Sequence, residues 1–314
     1  MVEADPDWRT LLSAAHSWLA AGRAVAIATV ASAWGSAPRR VGAQMVIDEQ
    51  GAIAGSVSGG CVEGEVVAEA LAILGSPAGP HGKTLDFDVA DDVAWRVGLA
   101  CGGRITVLLQ AVRPGGFDPN LLARTLSATD TVLDLDEDGA RLAAQDGAHA
   151  GTGLRLRYGP APRLAIIGAA HIAQHLAPIM RMLGYDVTVI DPRRQFATPE
   201  RFPGATIDTR WPDEALDAWQ PDAASAVVAL THDPKLDDPA LMAALRSPAF
   251  YIAALGSRKT HAARLERLGA AGFAPQALAR IHGPAGLSIG AATPAEIAVS
   301  VAAQLTAARR GVLA

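Results

Sequence analysis

The sequence predicts an α/β protein in which a small α+β N-terminal domain precedes a Rossmann-like C-terminal domain with a parallel sheet. From Arg163 onward, apolar strand-like runs alternate with helical patterns across short connections, which is typical of βαβ units. Before that residue, glycine-rich turns separate short apolar or alternating runs, which favours hairpins. The segment Gly159-Pro160-Ala161-Pro162 is the best boundary, so we expect domains at 1–159 and 160–314.

Length, charge and cysteine content limit the class of protein. The chain has 314 residues, 50% of them hydrophobic, which is enough for two cores. A formal net charge of −5 offers no basic patch for nucleic acid. No signal peptide is readable, and no apolar run approaches the roughly 18 residues that span a membrane. With only Cys61 and Cys101, a disulfide framework is excluded, and a reducing cytoplasm is the expected location.

The first domain begins with an amphipathic helix whose apolar residues recur from Trp8 to Leu19, followed by an apolar strand at 24–30. Two glycine-rich turns, Gly35 to Gly42 and Gly55 to Gly64, then bracket a predicted hairpin. Beyond the glycine turns the pattern is weaker. It predicts a helix at 121–126, a hairpin from 131 and strands at 84–89, 105–112 and 154–158.

Cys61 follows the pair Gly59-Gly60 and precedes a helical pattern that Gly75 ends. At a helix N-terminus, unpaired N–H groups and the helix dipole favour an anion and bias a thiol toward thiolate. Cys61 is therefore a candidate catalytic residue and soft-metal ligand. Gly59, Gly60 and Arg39 are candidates for binding an anionic ligand beside it. The alternative is that Cys61 is a small buried residue that only packs within the turn.

The second cysteine has similar surroundings. Cys101 precedes Gly102-Gly103 and a strand-like run, and small residues beside a sulfur let a ligand approach the backbone. Cys101 is therefore a second candidate catalytic residue, and Gly102 and Gly103 are candidate binding residues. The chain has no Cys-x-x-Cys spacing, which argues against a structural zinc site.

In the second domain, periodicity and turn residues predict five strands and a series of covering helices. The expected strands are 164–167, 186–190, 205–207, 226–230 and 250–254. The expected helices are 172–183, 213–219, 239–246 and 259–271, with a last helix that Pro294 opens after Thr293 as N-cap.

Gly168-Ala169-Ala170-His171 follows the first of these strands and opens a helix, which is the position of the dinucleotide fingerprint Gly-x-Gly-x-x-Gly. Asp191 ends the next strand, 23 residues on, where an acid can bind a ribose diol. Alanine replaces the second and third glycines. The pattern therefore predicts the fold but leaves two alternatives for the ligand, weak NAD(P) binding or no dinucleotide at all.

Two further polar turns follow later strands of this domain, Thr231-His232-Asp233 and Gly256-Ser257-Arg258. Ligands of open parallel sheets bind at the carboxyl edge, so we expect His232, Asp233 and Arg258 to share a crevice with His171. His232 and Asp233 are candidate catalytic residues; the alternative is that they cap helices and close turns. We expect the ligand site in a crevice between the two domains.

These motifs together resemble the XdhC/CoxI family, accessory proteins of molybdenum hydroxylases such as xanthine dehydrogenase. The resemblance covers nearly the whole chain and is weakest between Arg113 and Pro160. Two departures are Ala170, where the family usually has glycine, and Ser288, where it usually has an acid. The matching segments are 35–39, 55–63, 100–103, 168–171, 191–193, 231–233, 255–260, 281–284 and 294–298.

The resemblance implies a protein that binds the molybdenum cofactor (molybdopterin), supports its sulfuration and delivers it to an apo molybdenum hydroxylase. It further implies a sulfur donor as a partner, a homodimer, and a maturation factor more than a turnover enzyme. The pterin phosphate is an anion that glycine-turn N–H groups and Arg39 could bind. The alternative from another class is an NAD(P)-dependent oxidoreductase that uses the second domain.

Overall fold

The computed structural model describes residues 1–5, 7–35, 39–76, 78–89, 103–144 and 153–313. The chain divides into two compact units, Met1–Pro160 and Ala161–Ala314. Across the described ranges, no helix is both long and apolar enough to cross a bilayer.

The first unit combines two sheets with three helices in the ranges that the structure describes. Five strands form an antiparallel sheet in the order β4-β3-β2-β6-β5, and four form a second sheet in the order β1-β9-β7-β8. This confirms the predicted α+β character. The strands are β1 (Val2–Glu3), β2 (Val25–Gly35), β3 (Gln44–Asp48), β4 (Ile53–Gly55), β5 (Gly82–Val89), β6 (Gly103–Ala111), β7 (Thr131–Asp136), β8 (Gly139–Leu142) and β9 (Leu154–Tyr158). The helices are α1 (Trp8–Ala20), α2 (Glu63–Leu74) and α3 (Pro119–Ser127).

The predicted hairpin between the two glycine turns is present as β3 and β4. Asp48 closes its turn, because Oδ1 accepts hydrogen bonds from Gln50 N at 3.0 Å and Ala52 N at 2.8 Å. An aspartate that bonds the backbone two residues on is a standard way to stabilise a turn. The hairpin thereby fixes the start of the second glycine turn at Gly55.

Hydrophobic clusters cover both faces of the five-stranded sheet. On one face Ala26 and Ala28 of β2 pack in a cluster with Val66 of α2. On the other face Ile27 packs in a cluster with Leu12 of α1 and with residues of the second sheet. This alternation follows from the period of two in a strand. Because α2 is packed on the sheet, the position of its N-terminus, and of the turn before it, is fixed.

The second unit is the predicted Rossmann-like domain. Its six strands are all parallel. The strands are β10 (Arg163–Ile167), β11 (Asp186–Ile190), β12 (Thr206–Asp208), β13 (Ser225–Ala229), β14 (Tyr251–Ala254) and β15 (Ile281–His282). The helices are α4 (His171–Met182), α5 (Pro212–Trp219), α6 (Pro234–Arg246), α7 (Arg258–Ala270), α8 (Pro275–Leu278) and α9 (Pro294–Arg309).

The strand order of this sheet is β12-β11-β10-β13-β14-β15. The chain runs outward from β10 to β12, then returns to β13 and continues to the opposite edge. Helices α4 and α9 pack on one face, and α5 and α6 pack on the other. In such sheets ligands bind at the carboxyl ends of the strands, beside the point where the order reverses. Here that point lies between β10 and β13.

Candidate functional site

Cys61 lies in an exposed turn immediately before the N-cap of α2. Gly59 and Gly60 have φ values of +84° and +119°, which only glycine adopts without strain. A Cβ built at Gly60 would meet no described atom within 4 Å. The thiol therefore stands beside the helix N-terminus, as predicted, with open space next to it. The alternative that Cys61 is a buried packing residue is excluded.

The carboxylate of Glu63 folds back into this turn and accepts its backbone N–H groups. Oε1 accepts from Val57 N at 3.2 Å, Ser58 N at 2.9 Å and Gly59 N at 3.1 Å, and Oε2 accepts from Gly60 N at 2.9 Å. Successive N–H groups of this kind form an anion-binding nest. Here the chain's own carboxylate occupies the nest. The amides of Gly59 and Gly60, which we expected to face an anionic ligand, are engaged within the turn.

Serine hydroxyl groups complete this network. Ser56 Oγ donates to Glu63 Oε1 at 2.6 Å, and Ser58 Oγ donates to Oε2. Ser58 Oγ also accepts from the N–H groups of Cys61 and Val62, both at 3.0 Å. Partial burial raises the pKa of Glu63, but the hydrogen bonds outweigh it and lower the pKa to about 2. The turn is therefore held by an ionised carboxylate at neutral pH.

Arg39 braces the start of the same turn. Its Nε donates to the carbonyl oxygen of Ser56 at 3.1 Å, and its Nη2 lies 3.3 Å from Asp5 Oδ2. Arg40 forms an ion pair with the same aspartate. The guanidinium that we expected beside an anionic ligand is thus joined to the turn backbone and to an internal acid.

The second cysteine cluster is described only at its end. Cys101 and Gly102 lie outside the described residues, and Gly103 is the first residue of β6, paired with Gly35 of β2. Among the described residues, no group of three or more His, Cys, Asp and Glu side chains could bind a metal ion. It stays a prediction that Cys61 and Cys101 share one ligand site.

At the start of the second unit, Gly168 packs directly against the turn after β13. Its φ is +101°, and a Cβ at this position would lie 2.4 Å from Thr231 Cγ2. Glycine is therefore required for packing between neighbouring strands, whatever the ligand. His171 is the first residue of α4, and His175 lies one turn further on, with 6.5 Å between ring centroids. This His-x-x-x-His spacing was not among the expected site features.

Asp191 is fully buried, and its carboxylate is saturated by local hydrogen bonds. Oδ1 accepts from Arg193 N and Nε, both at 2.9 Å. Oδ2 accepts from Ala169 N and Arg193 Nη2, both at 2.8 Å. A carboxylate oxygen has about two acceptor sites, so all are in use. That Asp191 binds a ribose diol stays a prediction, and it has little support here, because the carboxylate holds the Gly168 turn and Arg193 instead.

The Thr231–Asp233 turn carries one exposed and strained histidine. His232 has φ +62°, a left-handed conformation that costs a non-glycine residue about 1–2 kcal/mol. Asp233 caps α6, because its side chain accepts from Lys235 N at 3.0 Å. The capping alternative therefore holds for Asp233. Hydrogen bonding to Asp191 raises the pKa of Arg193, and the charge of Asp233 adds to the effect, so the turns after β11 and β13 share this edge.

A buried ion pair lies beneath the turns after β13 and β14. Thr231 Oγ1 donates to Asp237 Oδ1 at 2.6 Å, and Arg264 Nη2 donates to Leu255 O at 2.8 Å. The two charged side chains are 1% and 2% exposed, with Arg264 Nη2 3.5 Å from Asp237 Oδ2. Within the described ranges, Asp237 Oδ2 and Arg264 Nε and Nη1 have no hydrogen-bond partner. Neither residue was expected at the site. The available signal was an arginine on the buried stripe of α7, four residues before Leu268.

Arg258 is the first residue of α7 and is exposed. Ser257 caps this helix, its Oγ accepting from Thr260 N at 3.1 Å. His171, His232 and Arg258 are thus three exposed side chains that follow β10, β13 and β14 at one edge of the sheet. That edge offers imidazole and guanidinium groups. Its acids, Asp191, Asp233 and Asp237, hold the turns.

Comparison with known proteins gives two family matches. Residues 164–305 match the XdhC Rossmann domain, and residues 18–88 match the XdhC and CoxI family. In fold, the chain is similar to the crystal structure of a xanthine dehydrogenase from Bacillus halodurans, with a TM-score of 0.81 and 26% identity. That match covers 98% of this chain and 96% of the other.

Two relatives match over almost their whole lengths. The molybdenum cofactor insertion chaperone PaoD of Escherichia coli (strain K12) is 30% identical over 309 residues, which cover 96% of this chain and 89% of the relative. A probable xanthine dehydrogenase subunit of Bacillus subtilis (strain 168) is 29% identical over 317 residues, which cover 91% and 93%. The glycine–cysteine turn, the Rossmann-like sheet and these matches agree: the chain belongs to the XdhC and CoxI family.

Proposed function

We propose that this chain handles the molybdenum cofactor as cargo: it binds the cofactor, supports its sulfuration and delivers it to a hydroxylase of the xanthine dehydrogenase type. The observation that carries the proposal is the exposed Cys61 thiol on a turn held by Glu63. The similarity to a molybdenum cofactor insertion chaperone supports it. We further propose the cytoplasm as the location, because an exposed thiol suits a reducing compartment.

Cys61 is the proposed contact to molybdenum. Soft thiolates suit thiophilic metals, and the open space at Gly60 lets a bulky ligand approach the sulfur. Because one thiol is a single ligand, cargo bound in this way can be released to a site with more ligands. We do not assign the pterin phosphate to the amides of Gly59 and Gly60, since Glu63 already occupies them.

The carboxyl edge of the second unit is proposed as a further cargo contact. His171, His232 and Arg258 are exposed there, and imidazole and guanidinium groups donate hydrogen bonds to anionic oxygens. A separate donor would supply the sulfur, so this chain's part in sulfuration is to hold the cofactor in place. Asp233 is left out of this role because it caps α6. Cys101 stays a candidate for a second sulfur contact.

The alternative of an NAD(P)-dependent oxidoreductase has less support. Asp191 is saturated by Ala169 and Arg193, and Ala170 stands where a glycine normally lets backbone approach the pyrophosphate. A nicotinamide titration run beside cofactor analysis separates the two classes.

The test is the molybdenum and pterin content of protein purified from a molybdate-replete host. Cys61→Ser and Cys61→Ala should lose most of the cofactor at an unchanged thermal midpoint, because an exposed side chain contributes little to stability. Gln50→Ser, an exposed turn substitution in the same unit, is the matched control and should retain it. Full cofactor content in Cys61→Ser would remove the main support for the proposal.

A further inference from the structure

Two histidines stand one helical turn apart on the outer face of α4. His171 and His175 are both exposed, and their ring centroids are 6.5 Å apart. Residues four apart lie on the same side of a helix, one above the other. The opposite side of α4 is buried in the core through Ala173, Leu176 and Ala177. The two imidazoles therefore project into solvent from a helix whose position is fixed.

The ring nitrogens of this pair are not engaged by other groups. Across the described ranges, neither imidazole takes part in a hydrogen bond or an ion pair. Gln174, which lies between them in sequence, is engaged elsewhere, because its Oε1 accepts from Arg201 Nη2 at 3.1 Å. A neutral imidazole has a free lone pair on one ring nitrogen, which can bind a metal ion. Both rings are thus available as ligands.

The backbone that carries His171 is held by the sheet below it. Gly168 N donates to Ile190 O at 2.8 Å, and Ala169 N donates to Asp191 Oδ2 at 2.8 Å. Two imidazoles bind one metal ion at about 2.0–2.1 Å. Reaching that distance needs rotation of the two exposed side chains but no change in the backbone. The site is therefore largely preorganised.

The type of ligand decides which ion fits. Imidazole suits Zn²⁺, Ni²⁺ and Cu²⁺, whereas Mg²⁺ and Ca²⁺ prefer oxygen ligands. The helix dipole opposes a cation at the N-terminus, but the effect falls off within the first turn, and His175 lies in the second. In the described part of the chain, no third His, Cys, Asp or Glu side chain joins the pair. An ion bound here would keep open positions for water or for an oxygen of a ligand.

We propose that His171 and His175 together bind one divalent transition-metal ion of the Zn²⁺, Ni²⁺ and Cu²⁺ class, at the carboxyl edge of the parallel sheet. The site does not rest on the proposed function, which is measured as the molybdenum and pterin content of Cys61 variants. His171 is also a proposed cargo contact, whereas His175 belongs to the metal site alone. Variants of His175 therefore test the metal site without altering the cargo contacts.

Titration of the untagged full chain with Ni²⁺, after alkylation of its thiols, tests the site. The unaltered protein should bind one equivalent. His171→Gln and His175→Gln should each raise the Ni²⁺ dissociation constant at least about 10-fold, since even changes around metal ligands have effects of that size. His16→Gln, at an exposed histidine of α1, is the matched control and should leave it unchanged. No Ni²⁺ binding, or equal affinity in His175→Gln, would overturn the proposal.

A change of spacing separates chelation from the mere presence of two histidines. His175→Gln/Pro178→His, at an exposed proline of α4, keeps two histidines on the outer face but about 10.5 Å apart along the helix. One ion cannot reach both, so binding should stay as weak as in His175→Gln, with the thermal midpoint recorded beside it. Electron paramagnetic resonance with one equivalent of Cu²⁺ should show two nitrogen ligands in the unaltered protein and lose the second in both variants. Tight binding in the respaced variant would exclude the paired site.

Discussion

Asp237 and Arg264 form an ion pair that is almost completely buried, with 3.5 Å between Oδ2 and Nη2. Burial raises the pKa of Asp237 and lowers the pKa of Arg264, so desolvation opposes both charges. The pair nevertheless joins two turns, since Asp237 accepts from Thr231 and Arg264 donates to Leu255. Those turns lead to His232 and Arg258, two proposed cargo contacts.

Asp237→Asn should destabilise the second unit by about 3–5 kcal/mol, because it leaves the Arg264 charge buried without a counter-ion. Asp238, the next residue along the chain, provides the matched control, because it pairs with Arg267, which is 42% exposed. Asp238→Asn should therefore lower the free energy of unfolding by about 1 kcal/mol or less. Urea unfolding of both variants measures the difference. Equal costs for the two substitutions would contradict the buried pair.

The double variant Asp237→Leu/Arg264→Met should recover most of that stability, because an apolar pair of similar volume does not need charge compensation. If the pair also positions the two turns, Asp237→Asn should retain less molybdenum than the unaltered protein. The double variant should then also retain less molybdenum, although its stability returns. Recovery of both properties together would mean that the pair acts only on folding.

Glu63→Gln should loosen the cysteine turn. The amide nitrogen of glutamine is a donor facing donors, so at least one turn N–H loses its acceptor, at a cost of about 1–3 kcal/mol. Amide hydrogen exchange at Ser58, Gly59 and Gly60 should accelerate. Glu65→Gln, in the same first helical turn, is the control and should leave exchange unchanged. Unaltered protection in Glu63→Gln would show that the carboxylate does not hold the turn.

The same carboxylate predicts a pH dependence. Glu63 has a folded-state pKa of about 2 against an ordinary 4.5, so its contribution to stability is present above pH 4.5. That contribution is lost as the pH falls toward 2, because the unfolded chain binds the proton first. The difference in unfolding free energy between the unaltered protein and Glu63→Gln should therefore shrink across this window. If this difference in unfolding free energy did not change with pH, the charge of Glu63 would not be the source of the stabilisation.

Much of the fold followed from local patterns. The alternation of apolar runs and helical stripes predicted the parallel sheet, and the two glycine-rich turns that bracket 43–54 predicted the β3–β4 hairpin. The position of Cys61 beside a helix start also followed, because glycine pairs mark such turns. The strands β1 and β15 were not predicted. Each has two residues, which is too short to show a period.

The side-chain chemistry of the site was harder to predict. Glu63 has the sequence position of any acid in a first helical turn, and only its rotamer sends it back into the glycine turn. Asp191 stands where a ribose ligand is expected, but Arg193, two residues on, takes its lone pairs. Such competition between a ligand and a neighbouring side chain depends on local conformation, and residue type and spacing do not determine it.

The hydrogen bonds that occupy Asp191 lead us to expect weak binding of nicotinamide nucleotides. The unaltered protein should bind NAD(H) with a dissociation constant above about 1 μM, since it lacks both a free carboxylate and the central glycine. Ala170→Gly should improve binding only slightly, because Asp191 remains occupied by Arg193. Calorimetric titration measures both constants. Submicromolar affinity in the unaltered protein would show that the missing glycines matter less than we infer.

The last prediction concerns strain at His232. Among the described residues, two non-glycine residues have positive φ, His232 at 62° and Gln220 at 52°. Replacing either with glycine should stabilise the protein by about 0.5–1 kcal/mol, because glycine adopts this conformation without a Cβ clash. Gln220→Gly, at the end of α5, is therefore a control for the backbone effect alone.

His232→Gly should differ from this control in cofactor content. If the strained imidazole contacts the cargo, the variant gains stability yet retains less molybdenum, whereas Gln220→Gly gains stability at full content. Thermal midpoints and molybdenum content, measured on the same samples, decide between the two. Full molybdenum content in a stabilised His232→Gly protein would remove His232 from the site and leave Cys61 as the principal contact.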